Sequence, residues 1–180
     1  ILRTLLPLVP MIALTASATP EVVADTVLQL KLETPAIIKS SFVRKNLSYQ
    51  VHYQEDKLYR IEQLLKKSNG SAIIYVRSRK NTVEISQQLN SLGISSHFFH
   101  GGISSEDKNT RLEEWLQGKK QVMVATNAFG MGIDNPNVSY VFHTQLPESI
   151  ESYFQEAGRA GRDGNYSSAM ILYNDYDKIL

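Results

Sequence analysis

The apolar positions of this chain switch repeatedly between two periods, and a polar or glycine-bearing turn separates each switch. Leu47, Tyr49, Val51 and Tyr53 alternate, the period of a strand with one apolar face. Leu58, Ile61, Leu64 and Leu65 then recur at helical spacing before Asn69-Gly70. Residues 72–76 are a short, continuous apolar run, which predicts a strand covered on both faces. Ser78 is placed to cap a helix carrying Val83, Ile85, Leu89 and Leu92, and Gly93 ends it. Residues 94–99 read as the next strand. Ser104 with Asp107 forms a capping box for a helix carrying Leu112, Trp115 and Leu116, closed by Gly118. Strands at 122–125, 138–143 and 169–173, with a helix at 150–154, complete the alternation. Strand and helix in turn, with connections this short, predict an α/β fold: three αβα layers around a mainly parallel sheet. Ligands of such sheets gather at the carboxyl ends of the strands, and the glycine-bearing loops are all expected at that edge.

The first forty residues read differently. Residues 11–14 are apolar, Thr19 and Pro20 mark the start of a helix with Val22, Val23, Val27 and Leu30 as its stripe, and 36–39 reads as a strand after Pro35. Residues 40–46 are polar and charged. The expected division is therefore a segment 1–40 and a domain 41–180. The start at Ile1, on an apolar segment without methionine, suggests a piece of a longer protein.

Composition narrows the partners without choosing one. The 180 residues are 42% hydrophobic, enough for a real core. Nineteen Lys and Arg against eighteen Asp and Glu give a net charge of +1, so any nucleic-acid site must be a local patch. The absence of cysteine excludes disulfides and thiolate metal sites, and no metal-ligand set is expected. No apolar run approaches the roughly 20 residues of a membrane helix, and no signal-peptide pattern opens the chain.

The most specific chemistry lies in Gln155-Glu156-Ala157-Gly158-Arg159-Ala160-Gly161-Arg162-Asp163-Gly164. Two arginines three apart share a face of a helix or tight turn, and guanidinium forks match phosphate oxygens. Glycines before each arginine let a polyanion approach the backbone, so a triphosphate is the guest this pattern suits. The stretch resembles the last helicase motif of superfamily two in the spelling of RecQ DNA helicases. Ala125-Thr126-Asn127-Ala128-Phe129-Gly130-Met131-Gly132-Ile133-Asp134 likewise resembles the RecQ form of the loop between nucleotide and nucleic acid. Residues 73–79 and 150–154 continue the likeness, which runs in order over residues 41–175, and 11–19 resemble the Thr-Ala-Thr segment that closes a helicase's first motor domain.

The resemblance implies a second RecA-like motor domain of an ATP-dependent 3′-to-5′ DNA helicase, with a tail of the first motor domain at 1–40. It implies Arg162 as the arginine finger, with Arg159 and Gln155 supporting the phosphates and the attacking water. Gly132, Asp134, Arg159 and Arg162 would face ATP with Mg2+. Arg77, Ser78, Arg79, His100, Gly101, Thr126 and Asn127 would hold single-stranded or partly duplex DNA by its backbone. For residues 77–80, three cations at free helix amides suit a phosphate on their own chemistry; for His100 the residues alone carry no specific signal. The sequence holds no Gly-x-x-x-x-Gly-Lys-Ser/Thr and no Asp-Glu pair, so the main ATP and magnesium ligands are expected on a missing N-terminal motor domain, and the chain alone should not hydrolyse ATP. The implied setting is intracellular, a bacterial cytoplasm or a nucleus, with no membrane partner. Two alternatives stay open: the C-terminal half of a DEAD-box-like RNA helicase, and a non-enzymatic module binding a phosphorylated ligand.

Overall fold

The computed structural model describes residues 2–5, 9–15, 18–39, 41, 43–130 and 133–178, in two compact units, Ile1–Val43 and Arg44–Leu180. The first unit contains helices α1 (Leu2–Leu5) and α2 (Pro20–Gln29). Thr19 caps α2, accepting from the Val22 amide at 3.4 Å, and Pro20 occupies its first turn where no amide partner is needed. None of the α2 residues is buried. The expected strand at 36–39 is absent: these residues are irregular, because an extended segment without a neighbour to pair with forms no ladder.

The second unit is the α/β domain. Its strands are β1 (Leu47–Tyr53), β2 (Ser71–Tyr75), β3 (Ser96–Phe99), β4 (Val122–Ala125), β5 (Val138–His143) and β6 (Ser167–Tyr173). They form one sheet in the order β1-β6-β5-β2-β4-β3, and every pair is parallel. The central strand β2 is buried throughout, as its unbroken apolar run requires. Four helices cover the faces: α3 (Lys57–Leu65), α4 (Arg79–Ser91), α5 (Ser105–Leu116) and α6 (Ile150–Ala157). Strand side chains alternate between two cores. Ala72, Ile74, Val76, Val122, Val124, Phe142 and Leu172 pack with Ile61 and Leu65 of α3 and Leu89 of α4. Ile73, Tyr75, Met123, Ala125 and Val141 pack with Trp115 of α5 and Ala157 of α6. The layers are therefore αβα, with α3 and α4 on one face and α5 and α6 on the other.

Helix boundaries follow the caps. Ser78, Ser104 and Ser149 each accept an amide from three residues on, at 3.0, 3.0 and 3.1 Å. Gly93 and Gly118 end α4 and α5 with φ of +79° and +74°, where a Cβ would be strained. β1 departs from the sequence reading. Its apolar side is exposed beyond Leu47, with Val51 62% accessible, because β1 is an edge strand; the ring contacts from α6, through Tyr153 and Phe154, fall on Tyr49. No helix among the described residues is long and apolar enough to cross a membrane.

A candidate site divided between two ends of the sheet

Strand order brings the loops after β2, β4 and β3 side by side at the carboxyl edge. Ser78 is engaged as the cap of α4, and Arg79 leaves the first turn toward the glycines after β3; a methyl group on Gly102 would stand 3.1 Å from the Arg79 guanidinium. Arg77 is tied to the loop after β5: its amide donates to Gln145 Oε1 at 3.1 Å and its Nη2 donates to the Leu146 carbonyl at 2.9 Å. His100 Nδ1 accepts the Gly102 amide at 3.1 Å, and its ring stacks on Phe98 with centroids 5.7 Å apart. Burial lowers the His100 imidazole below the usual histidine range, and the charges of Arg79, Arg111 and Lys108 push the same way. Thr126 is buried, its amide donating to the Phe99 carbonyl at 3.2 Å, whereas Asn127 is exposed.

Two cations that the sequence reading missed complete this edge. Lys108 Nζ donates to the Gly101 carbonyl at 3.1 Å, and Arg111 lies 3.8 Å over the Phe98 ring while donating to the Phe98 carbonyl at 3.0 Å. The signal was available: 108 and 111 are three apart on the helix that follows the glycines, so they share its inner face.

The tandem arginines stand elsewhere, which corrects the expectation of a single edge. In a parallel sheet the chain after a strand must run back, so α6 starts at the carboxyl end of β5, where its Glu156 still meets His143, and the turn that follows α6 reaches the amino end. The Gly161 amide donates to the Val138 carbonyl at the first residue of β5, at 2.9 Å. Here Arg159 and Arg162 converge on one acceptor, the Ile133 carbonyl, at 3.4 and 3.3 Å. Arg162 Nη1 also meets Asp134 Oδ1 at 2.7 Å, with the aspartate 77% and the arginine 35% exposed. Arg159 lies deeper. Its Nη2 stands 3.0 Å from where a methyl on Gly130 would be, and its buried Nε has no hydrogen-bond partner among the described residues. Gln155 is exposed on α6, four residues before Arg159. Gly132 lies outside the described residues, as do Met131 and Ala16-Ser17 of the segments singled out in the sequence.

One segment joins the two ends. Residues 126–137 leave β4 at the carboxyl edge and enter β5 at the amino edge, and Phe129 anchors the crossing, fully buried against Phe99 and Trp115 at 4.9 and 5.5 Å. Tyr75 adds a bond from its hydroxyl to the Phe129 carbonyl at 2.9 Å, and burial drives that phenol well above its ordinary value. Beside Tyr75, a small cleft of about 80 Å3 opens at the carboxyl end, lined by Arg77, Asn127, His143, Gln145 and Glu156 among others. His143 Nε2 and Glu156 Oε2 are 2.7 Å apart there.

Residues 56–164 match the family described as helicase conserved C-terminal domain. The chain is similar to the RecQ-like DNA helicase blm-1 of Caenorhabditis elegans, 41% identical over 96% of this chain and 18% of that protein. It is also similar to the ATP-dependent DNA helicase RecQ of Bacillus subtilis, 40% identical over 92% of this chain and 28% of that protein. It thus spans well under a third of the length of either relative. Among solved structures it resembles Saccharomyces cerevisiae Dbp5 bound to RNA and ADP BeF3, with a TM-score of 0.76 and 22% identity over 89% of this chain and 44% of that one, a likeness of fold.

Proposed function

Because the chain belongs to the helicase conserved C-terminal domain family, as a domain of RecQ type, we propose that it is the second RecA-like motor domain of an ATP-dependent DNA helicase, supplying an arginine finger from one end of its sheet and a DNA-backbone grip from the other. The observation that carries the reading is that Thr126 and Asn127 lie beside the cationic loops while Asp134, on the same connection, lies under Arg162.

The residues fit a bound triphosphate on one side only. Arg162 presents a partly exposed guanidinium, and Arg159 holds a buried Nε donor without a partner among the described residues. ATP with Mg2+, when bound, supplies the phosphoryl group whose hydrolysis drives the cycle. Arg162 meets the charge that develops on that group, Arg159 fixes the loop through the Ile133 carbonyl, and Asp134 orients Arg162. Gln155 and Gly132 belong to the same proposal, with Gln155 assigned to the attacking water. The remaining ligands of nucleotide and metal are assigned to a preceding motor domain, of which residues 1–40 would be the tail, so the chain by itself is expected to be inactive.

At the carboxyl edge Ser78, Arg79, His100, Gly101 and Asn127 offer amides and cations to a strand's phosphates, with Arg77 and Thr126 framing them. Such contacts carry little sequence information, which suits a motor travelling over any sequence in the 3′-to-5′ sense. Residues 40–46 would act as the hinge.

The test is single-strand-DNA-stimulated ATP hydrolysis by the natural-length protein, with Arg162→Ala beside the native residue and ATP binding followed separately. Hydrolysis is expected to fall by about 10³- to 10⁵-fold while binding persists. Normal hydrolysis by the variant would overturn the reading. The same assays with RNA in place of DNA decide between the DNA and RNA alternatives.

A further inference from the structure

The turn that carries Arg162 is held from the polar segment that precedes β1. Arg44 Nη2 donates to the Gly161 carbonyl at 2.6 Å and to the Ala160 carbonyl at 3.2 Å. Asn46 Nδ2 donates to the same Gly161 carbonyl at 2.7 Å and to the Asn165 carbonyl at 2.9 Å, and the Asn46 carbonyl accepts the Ser167 amide at 2.8 Å. Two side chains therefore occupy one carbonyl oxygen, which has two lone pairs to offer, and one of the donors is a guanidinium.

That oxygen is not an arbitrary one. The Gly161 carbonyl belongs to the peptide plane that joins Gly161 to Arg162, so fixing it fixes the direction in which Arg162 leaves the backbone. The other end of Gly161 is fixed too, by its amide on the Val138 carbonyl. Gly161 itself adopts φ +66°, which glycine tolerates and other residues resist, and a methyl there would stand 2.6 Å from Asn46 Nδ2. Asp134 holds the tip of Arg162; Arg44 and Asn46 hold its root.

We propose that Arg44 and Asn46 are positioning residues for Arg162: they set the peptide from which the finger projects, and they carry movement of the segment before β1 to the finger. The proposal rests on the reading of Arg162 as the finger. Both residues lie within 40–46, the stretch assigned above as the hinge, so a change in its backbone reaches Arg162 through one carbonyl without passing through the sheet. A displacement of about 1 Å at a reacting group can cost on the order of 10²-fold in rate, which is the scale this contact commands.

The experiment compares Arg44→Met, Arg44→Lys, Asn46→Asp and Arg162→Ala in the natural-length protein. It reads kcat and KM for ATP at saturating single-stranded DNA, affinity for a fluorescent nucleotide, affinity for DNA, and the thermal midpoint. Asn46→Asp keeps the shape and sets a carboxylate against two carbonyls. Arg44→Met and Asn46→Asp are expected to lower kcat by about 10- to 100-fold, with KM and both affinities within about twofold of native. Arg44→Lys retains one charged donor and is expected to recover part of the loss. Arg44→Met added to Arg162→Ala should cost nothing more, as for groups acting in one unit. Native kcat in both single variants overturns the proposal, as does a loss of kcat that comes with equal losses of nucleotide affinity, DNA affinity and thermal midpoint, which marks a role in folding alone. Normal hydrolysis by Arg162→Ala instead overturns the parent reading, so the two failures are separate results.

Discussion

The two ends of the sheet present cations in opposite ways. At the carboxyl edge Arg79, His100, Lys108 and Arg111 come from three elements, and their contacts, to Gly101, Gly102 and Phe98, stay within that edge. At the amino edge two arginines share one carbonyl, and their turn is tied to β5, to the segment before β1 and to residue 165. The first arrangement is a patch gathered from several elements around one loop; the second is one braced piece. Single substitutions at the patch should therefore be mild, and those at the brace large and strongly coupled. This difference suits the proposed tasks, since a grip on a mobile strand tolerates slack and a group facing a transition state does not.

The segment that joins the ends offers the strongest challenge to that contrast. Phe129→Ala removes a fully buried ring packed on Phe99 and Trp115, and about 3–5 kcal/mol of stability is expected to go with it in urea unfolding. Both ends should suffer together, with DNA affinity and hydrolysis falling in the same variant. A loss confined to one end would show that the segment does not couple them.

Gly161→Ala is the narrower cut. Its φ of +66° and the 2.6 Å approach of Asn46 Nδ2 leave no relaxed place for a methyl group, and strain of this kind costs on the order of 1–3 kcal/mol. Hydrolysis should collapse while single-strand affinity stays near native. Equal damage to DNA affinity would mean that the brace extends across the sheet.

Most of the fold was legible because its signals are local. The unbroken apolar run at 72–76 and the serines at 78 and 104 needed no tertiary information, and strand and helices lie where they point. The strand read at 36–39 failed for the opposite reason, since pairing is not local. Alternation at 47–53 gave the strand correctly but not its cover, which depends on how far α6 extends over the edge. For the candidate site, the motif loops announced themselves through glycine and arginine spacing. Their division between two ends did not: it follows from the return path of α6, a property of the topology rather than of any loop. Arg44 and Asn46 read only as part of a polar linker because their partners are carbonyls 115 to 119 residues away, and a carbonyl leaves no mark in sequence.

The smallest expected effect tests the patch by titration. His100 accepts the Gly102 amide at Nδ1, so its neutral form carries the proton on Nε2, and protonating Nδ1 would break that bond. Burial disfavours its charge first; Arg79 from α4 and then Arg111 and Lys108 from α5 add to this, and β3, which it follows, offers Phe98. The folded value therefore lies below 6.5. The sign follows: above the unfolded value both states are neutral and nothing is lost. As pH falls below it the unfolded chain takes up the proton first, so stability declines until the folded value is passed and then levels. NMR titration of the His100 ring should give a midpoint below that of free histidine, and Arg79→Met should move it up. Added single-stranded DNA should raise it as well, because a phosphate beside the ring favours the charged form. A midpoint that ignores both Arg79 and DNA would place the grip somewhere other than this edge, and the contrast between the two ends of the sheet would lose its carboxyl half.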